Sequence, residues 1–165
     1  MKKRIAPIAV VAVVIAVIIL LPTVFFPPPR VIVASATIPG TTINSGESAI
    51  IYRFAVSAER DDVEIEQIYL TFRSHDASLA NLYLYSDNGS RLPGEVYYCS
   101  EGMIRYCSDW SEGAKIVVPE GTTQIFNLRA NVIGQGTISI RIEEMELWEG
   151  SVEELPSATI TLTIK

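Results

Sequence analysis

From Gly46 to the end of the chain, apolar and polar residues alternate with a period of two, in short runs separated by Gly, Pro, Asp and Asn. That pattern predicts half-buried β-strands joined by tight turns. In the run over 50–58 the even positions Ile50, Tyr52, Phe54, Val56 and Ala58 are apolar, while Arg53 and Ser57 face away. The run over 63–73 breaks phase. Val63 and Ile65 are odd but Ile68, Leu70 and Phe72 are even, which predicts a bulge near Glu66 and Gln67. A strand over 80–85 sets Leu82 and Leu84 on one face and Tyr83 and Tyr85 on the other. Asp87-Asn88-Gly89-Ser90 is the strongest hairpin signal in the chain.

Further strands are expected over 95–98 and 116–118. The run over 123–132 carries Phe126, Leu128, Ala130 and Val132 against Asn127, Arg129 and Asn131. Gly134-Gln135-Gly136 reads as a turn into a strand with Ile138, Ile140 and Ile142 inward. The final run sets Ala158, Ile160, Leu162 and Ile164 against Thr159, Thr161 and Thr163. No long segment after residue 36 has a helical period. The expectation is an all-β, antiparallel two-sheet β-sandwich of about seven to nine strands over 46–165.

Before that domain the pattern is different. Ile5 to Phe26 is an uncharged apolar stretch preceded by Lys2, Lys3 and Arg4. As a helix it would measure about 33 Å, enough for a hydrocarbon core of about 30 Å. The basic cluster over 1–4 predicts a cytoplasmic N-terminus and an extracytoplasmic C-terminal domain, anchored by one transmembrane helix over 5–26. Pro27-Pro28-Pro29 begins a stiff stalk over 27–45, within which Val31-Ile32-Val33 is either a first edge strand or part of the stalk. Ala34-Ser35-Ala36 has the small-x-small form of a signal cleavage site, so cleavage at Ala34 to Ala36 is the competing expectation. The apolar stretch is longer than a cleavable signal needs, which favours retention as an anchor.

Composition then narrows the chemistry. Beyond residue 4 the chain has ten basic residues against nineteen acidic ones, a net charge of −9. An acidic domain without a basic run is a poor partner for nucleic acid or anionic lipid surfaces, so the bilayer contact expected is the N-terminal helix alone. Cys99 and Cys107, outside the membrane, are expected to form a disulfide closing a small loop across a hairpin. Tyr97, Tyr98, Tyr106 and Trp110 flank that loop and form a candidate recognition surface for a protein or glycan partner.

No catalytic constellation assembles, and no enzyme is expected. His75 is the sole histidine; with Asp76, Ser74 and Ser78 on one loop it cannot adopt the base-and-orienter geometry of a hydrolase. No cofactor or metal site is expected either. The acids around Asp61 and Asp62, and Asp87, lack calcium-loop spacing and read as solvated turns. Asn88-Gly89-Ser90 is a formal glycosylation sequon on the hairpin.

In architecture the chain resembles bacterial and archaeal surface proteins that carry an anchor, a stalk and an immunoglobulin-like or fibronectin-like sandwich. The immunoglobulin Cys-Trp-Cys pattern is absent, because the two cysteines are only eight residues apart. The leading expectation is a single-pass membrane-anchored, non-catalytic binding or structural module at a prokaryotic cell surface. The alternative is a secreted filament or pilus-type subunit, released by cleavage near Ala36 and assembling by strand donation through an unpaired Val31 to Ile38 run.

Overall fold

The structure, a computed structural model, describes residues 29–35, 42–98, 103–107 and 115–165. The transmembrane helix expected over 5–26 and its basic flank lie outside the described residues, as do Ala36, Cys99 and Trp110. Among the described residues, no helix is long and apolar enough to cross a membrane.

The fold is all-β. Ten strands follow in order: β1 (Arg30–Ser35), β2 (Thr42–Ile43), β3 (Ser48–Ala58), β4 (Val63–Ser86), β5 (Glu95–Tyr98), β6 (Met103–Cys107), β7 (Ile116–Val118), β8 (Thr123–Leu147), β9 (Ser151–Glu154) and β10 (Ile160–Ile164). Two of them organise the rest. β4 and β8 pair antiparallel along nearly their whole lengths, from Ile65↔Leu147 to Ser86↔Phe126. The first half of β4 and the second half of β8 join β5, β6, β7, β10 and β2 in one layer. Their other halves join β3, β1 and β9 in a second layer.

The sandwich therefore turns over inside two continuous strands. Asp76 and Asn81 take positive φ values of 59° and 53° on β4, and Gly134 and Gly136 take 97° and 142° on β8. The register shifts between His75 and Ala77 and again between Ala80 and Tyr83. Left-handed residues and bulges bend a strand without ending its ladder. This corrects two expectations. The runs over 63–73 and 80–85 are one strand, and Gly134-Gln135-Gly136 is a bend within β8 and no turn.

One apolar core fills the space between the layers. Phe54 and Phe126 stack with ring centroids 5.3 Å apart, and Tyr52, Ile68, Ile138, Ile140 and Leu162 are fully buried around them. Tyr52, on β3, is buried with its hydroxyl near the Ile142 backbone of β8 but without a well-formed hydrogen bond. Burial raises its phenol above the ordinary value of 10.0, with the Ile142 backbone a smaller, opposing influence.

The bulge expected near Glu66 and Gln67 is present as a register shift between Ile65 and Gln67. A second bulge between Ile50 and Tyr52 was not expected; it turns Ile51 into the core and leaves Ile50 half-buried. The hairpin at 87–90 forms as the sequence predicts. Gly89 has φ 84°, and Asn88 Oδ1 accepts from the Ser90 amide at 2.9 Å and the Ser86 hydroxyl at 2.6 Å.

Two further corrections concern the sheet edges. The sandwich is not purely antiparallel: β1 runs parallel to β9, and β2 parallel to β10. The Val31 to Val33 run is a first strand, as one of the two expectations had it, but it does not stand at the sheet edge. β1 lies between β3 and β9, with Val31 and Val33 at 0% and 2% exposure. Val31 to Ser35 pair with β3, and Arg30 to Ile32 also pair with β9, so this part of the run expected to be unpaired is paired within its own chain. β4 and β8 each serve both layers.

Candidate surface on the outer face of the first layer

Alternation dictates this face. Ile68, Leu70, Ile140, Ile142 and Leu162 are buried, so Tyr69, Thr71, Arg73, Ser139, Arg141 and Thr161 stand on the opposite side of the pleat. Register then assembles rows across strands. Tyr97 of β5 pairs with Arg105 of β6, and Arg105 with Tyr69 of β4. The Arg105 guanidinium lies 5.7 Å from the centroid of the Tyr97 ring. Tyr69 presents its hydroxyl to Gln67 Oε1 at 2.8 Å and Glu146 Oε1 at 3.1 Å. Desolvation raises the Tyr69 phenol above 10.0; Glu146 acts in the same direction and Arg105 against it.

The next row is a charge-assisted network. Glu143 Oε1 accepts from the Thr71 hydroxyl at 2.5 Å, and both carboxylate oxygens receive Arg141 Nη2, at 2.5 Å and 2.7 Å. Arg141, then Thr71, hold the Glu143 carboxyl below its ordinary 4.5, with Arg73 adding a weaker pull. Farther along, the Ser139 and Thr161 hydroxyls meet at 3.0 Å. A shallow cleft of about 260 Å³ runs between Thr71, Arg73, Ser139, Arg141, Glu143 and Thr159.

The arrangement presents polar, charged and aromatic groups side by side on one sheet face. Its carboxylates are tied to their neighbours, Glu143 to Arg141 and the Thr71 hydroxyl and Glu146 to the Tyr69 hydroxyl. Exposed Tyr and Arg on a rigid sheet are the side chains that carry most contact energy at protein interfaces. His75 stands elsewhere, at the bend, 84% exposed and 3.3 Å from Asp76. Among the described residues no group of three His, Cys, Asp or Glu side chains could hold a metal ion. Asp62 Oδ1 accepts from the Glu120 amide at 2.9 Å, Asp61 caps the Asp62 amide at 2.8 Å, and Asp87 pairs with Arg53. Those acids serve turns and one ion pair.

Of the four aromatics singled out from sequence, Tyr97, Tyr98 and Tyr106 lie on described strands. Tyr97 is 47% exposed and donates its hydroxyl to Glu95 at 3.0 Å. In backbone register Tyr98 is the partner of Ile104, and Tyr106 that of Val96 and Ile68. Trp110 lies outside the described residues. Cys107 sits opposite Glu95 and Gln67, and its expected disulfide partner Cys99 lies outside the described residues. Ala34 is on β1, opposite Ala55, and Asn88 tips the hairpin. Sequence reasoning missed Tyr69, Arg105, Arg141 and Glu143. Their signal was in the alternation, which marked them as outward, but only register could bring them together.

No family model matches the chain, and no curated protein matches it. Solved structures similar to it are cohesins. A cohesin module from a Clostridium perfringens family 33 glycoside hydrolase is 12% identical with a TM-score of 0.49, over 81% of this chain and 96% of that one. A non-cellulosomal cohesin from the archaeon Archaeoglobus fulgidus is 11% identical with a TM-score of 0.43, over 83% and 91%. A type I cohesin–dockerin complex from Clostridium thermocellum is 11% identical with a TM-score of 0.44, over 83% and 99%. At about one-tenth identity and TM-scores below 0.5, this likeness carries no argument about partner or activity.

Proposed function

We propose that the chain is a non-catalytic binding module, tethered to a prokaryotic cell membrane by Ile5 to Phe26, with its N-terminus cytoplasmic and its β-sandwich outside. The observation that carries the reading is the Tyr97–Arg105–Tyr69 row on the outer face of the first layer, Tyr97 exposed and Arg105 and Tyr69 half-buried, built on strands rather than loops. Side chains held by a paired sheet lose little entropy on contact, so a flat row of this kind favours a protein partner.

The place of β1 supports the tether. If Ile5 to Phe26 crosses the bilayer, only Pro27, Pro28 and Pro29 separate it from the first strand, a spacer of about 9 Å. The domain would sit close against the membrane with little freedom to reorient. Cleavage after Ala36 would strip β1 from between β3 and β9, which weighs against the released filament subunit.

A photo-crosslinking residue at position 97, introduced in the full-length chain in native membranes, tests this. A discrete crosslinked protein band is expected from position 97 and none from Glu120, an exposed turn residue. No band from position 97, or the same band from both, would sink the reading.

A further inference from the structure

The outer side of the second layer carries a different row, in register across four segments. Arg53 of β3 pairs with Asn127 of β8, Asn127 with Tyr85 of β4, and Tyr85 with Arg91 beyond the hairpin. At about 4.8 Å per strand the row spans about 14 Å. Its neighbours Phe54, Phe126, Leu128 and Leu84 are all in the core, so the row faces out. The Arg91 guanidinium lies 3.7 Å from the centroid of the Tyr83 ring, and that of Arg129 lies 5.3 Å from the Tyr85 ring. A groove of about 320 Å³ continues past Tyr83 and Arg91 to Gly94 and Glu95. Two acids border this face: Asp87, paired with Arg53, and Glu95, which accepts the Tyr97 hydroxyl. In a domain with nine more acidic than basic residues, the face gathers three arginines.

At its centre is a polar group that the fold does not use. Asn127 is 6% exposed, yet its Oδ1 finds no donor among the described residues, and its Nδ2 makes only a long contact, 3.5 Å, to the Ser86 carbonyl. Arg53 Nε–H, on the strand paired with it, is likewise buried without an acceptor among the described residues. A buried acceptor and donor left unmet cost stability, and a strand position needed only for packing is better filled by Val or Thr. One ligand group that both donates and accepts would complete the pair.

We propose that this row binds an acidic polysaccharide. Once side-chain movement uncovers the two buried atoms, a sugar hydroxyl donates to Asn127 Oδ1 while accepting from Arg53 Nε–H. Uronate carboxylates pair with the guanidinium forks of Arg129 and Arg91, for which lysine would be a poorer substitute. The exposed Arg129 side chain swings off Tyr85 to admit the chain, a rotamer change that costs little at a surface. The uncovered tyrosine ring then offers an apolar plane to a pyranose face. An open, extended row suits a polymer better than a small enclosed ligand. This site is separate from the Tyr97 row and does not depend on it.

The test is calorimetric titration of the full-length chain, in non-ionic detergent at physiological salt, with polygalacturonate, uncharged dextran and polyglutamate. Polygalacturonate is expected to bind and dextran to fail. Arg129→Gln and Asn127→Leu should each weaken binding by about tenfold. Arg91→Gln, fully on the surface, gives the same reading if Asn127→Leu fails to fold. Absence of polygalacturonate binding overturns the proposal. So does equal binding of polyglutamate that survives Asn127→Leu, which would mean plain charge attraction. Loss of self-association on Arg129→Gln in sedimentation velocity, without glycan binding, would make the face a contact between copies of the chain and also overturn it.

Discussion

The backbone carbonyl oxygen of Asp76 sits 2.6 Å from the point a Cβ on Gly134 would occupy. Both residues lie at the bend of the two strands that carry both layers, and Gly134 also has φ 97°. Gly134→Ala should therefore combine a left-handed penalty with a clash against backbone that cannot step aside, at about 3 kcal/mol. Gly136→Ala, whose Cβ would fall 2.0 Å from the His75 carbonyl oxygen, should cost at least as much. Gly121→Ala is the control: φ is 68° but nothing lies within 4 Å, so about 1 kcal/mol is expected. Urea unfolding of the three variants checks the order.

β1 is expected to be part of the folding unit. Val31→Ala removes two buried methyl groups between β3 and β9 and should cost about 2 kcal/mol. A chain shortened to begin at Thr37 should lose the cooperative transition altogether. Circular dichroism melts of the two forms would show this; an unchanged melt of the shortened chain would place β1 outside the fold.

Tyr52 predicts the alkaline limb of stability. Burial raises its pKa above 10.0, so the folded state binds the proton more tightly than the unfolded one. The stabilisation is intact below pH 10 and is lost as pH rises through the folded value. Absorbance at alkaline pH should show one tyrosine ionising only with unfolding. Tyr52→Phe should remove that step and, since the hydroxyl lacks a well-formed hydrogen bond, change stability at neutral pH by no more than about 1 kcal/mol.

Glu143 predicts part of the acid limb, with the opposite sign. Arg141 and Thr71 lower its pKa below 4.5, so its stabilisation is present above pH 4.5 and is lost as pH falls through the folded value. Glu143→Gln should flatten the fall in melting temperature below pH 4.5 and leave the alkaline limb unchanged. An acid limb identical to wild type would show that the Arg141–Glu143 pair is too solvated to matter.

Much of the fold was written in the alternation. The inward sets on β8 and β10, the bulge beside Gln67 and the Asn88-Gly89 hairpin all follow from period and turn chemistry. The bend was hidden because Asp76, Gly134 and Gly136 are turn residues in isolation. Only their cross-strand pairing shows that the chain bends there without leaving the sheet. Ile51 was misassigned because Ile50 and Ile51 are chemically alike, and either could lead the even phase. For the surfaces, the pattern marked Tyr69, Arg53 and Asn127 as outward but could not supply the register that sets Tyr69 beside Arg105 or Arg53 beside Asn127. The acidic average of the domain likewise concealed the arginine row of the second layer.

We propose a sandwich whose first strand follows a membrane-spanning Ile5 to Phe26 and stays attached to it. Intact mass spectrometry of the protein from native membranes tests it most directly. The account predicts a species at the full-chain mass of 18.1 kDa, apart from the initiator methionine. A species lacking the first 36 residues, recovered outside the membrane and still folded, would contradict it.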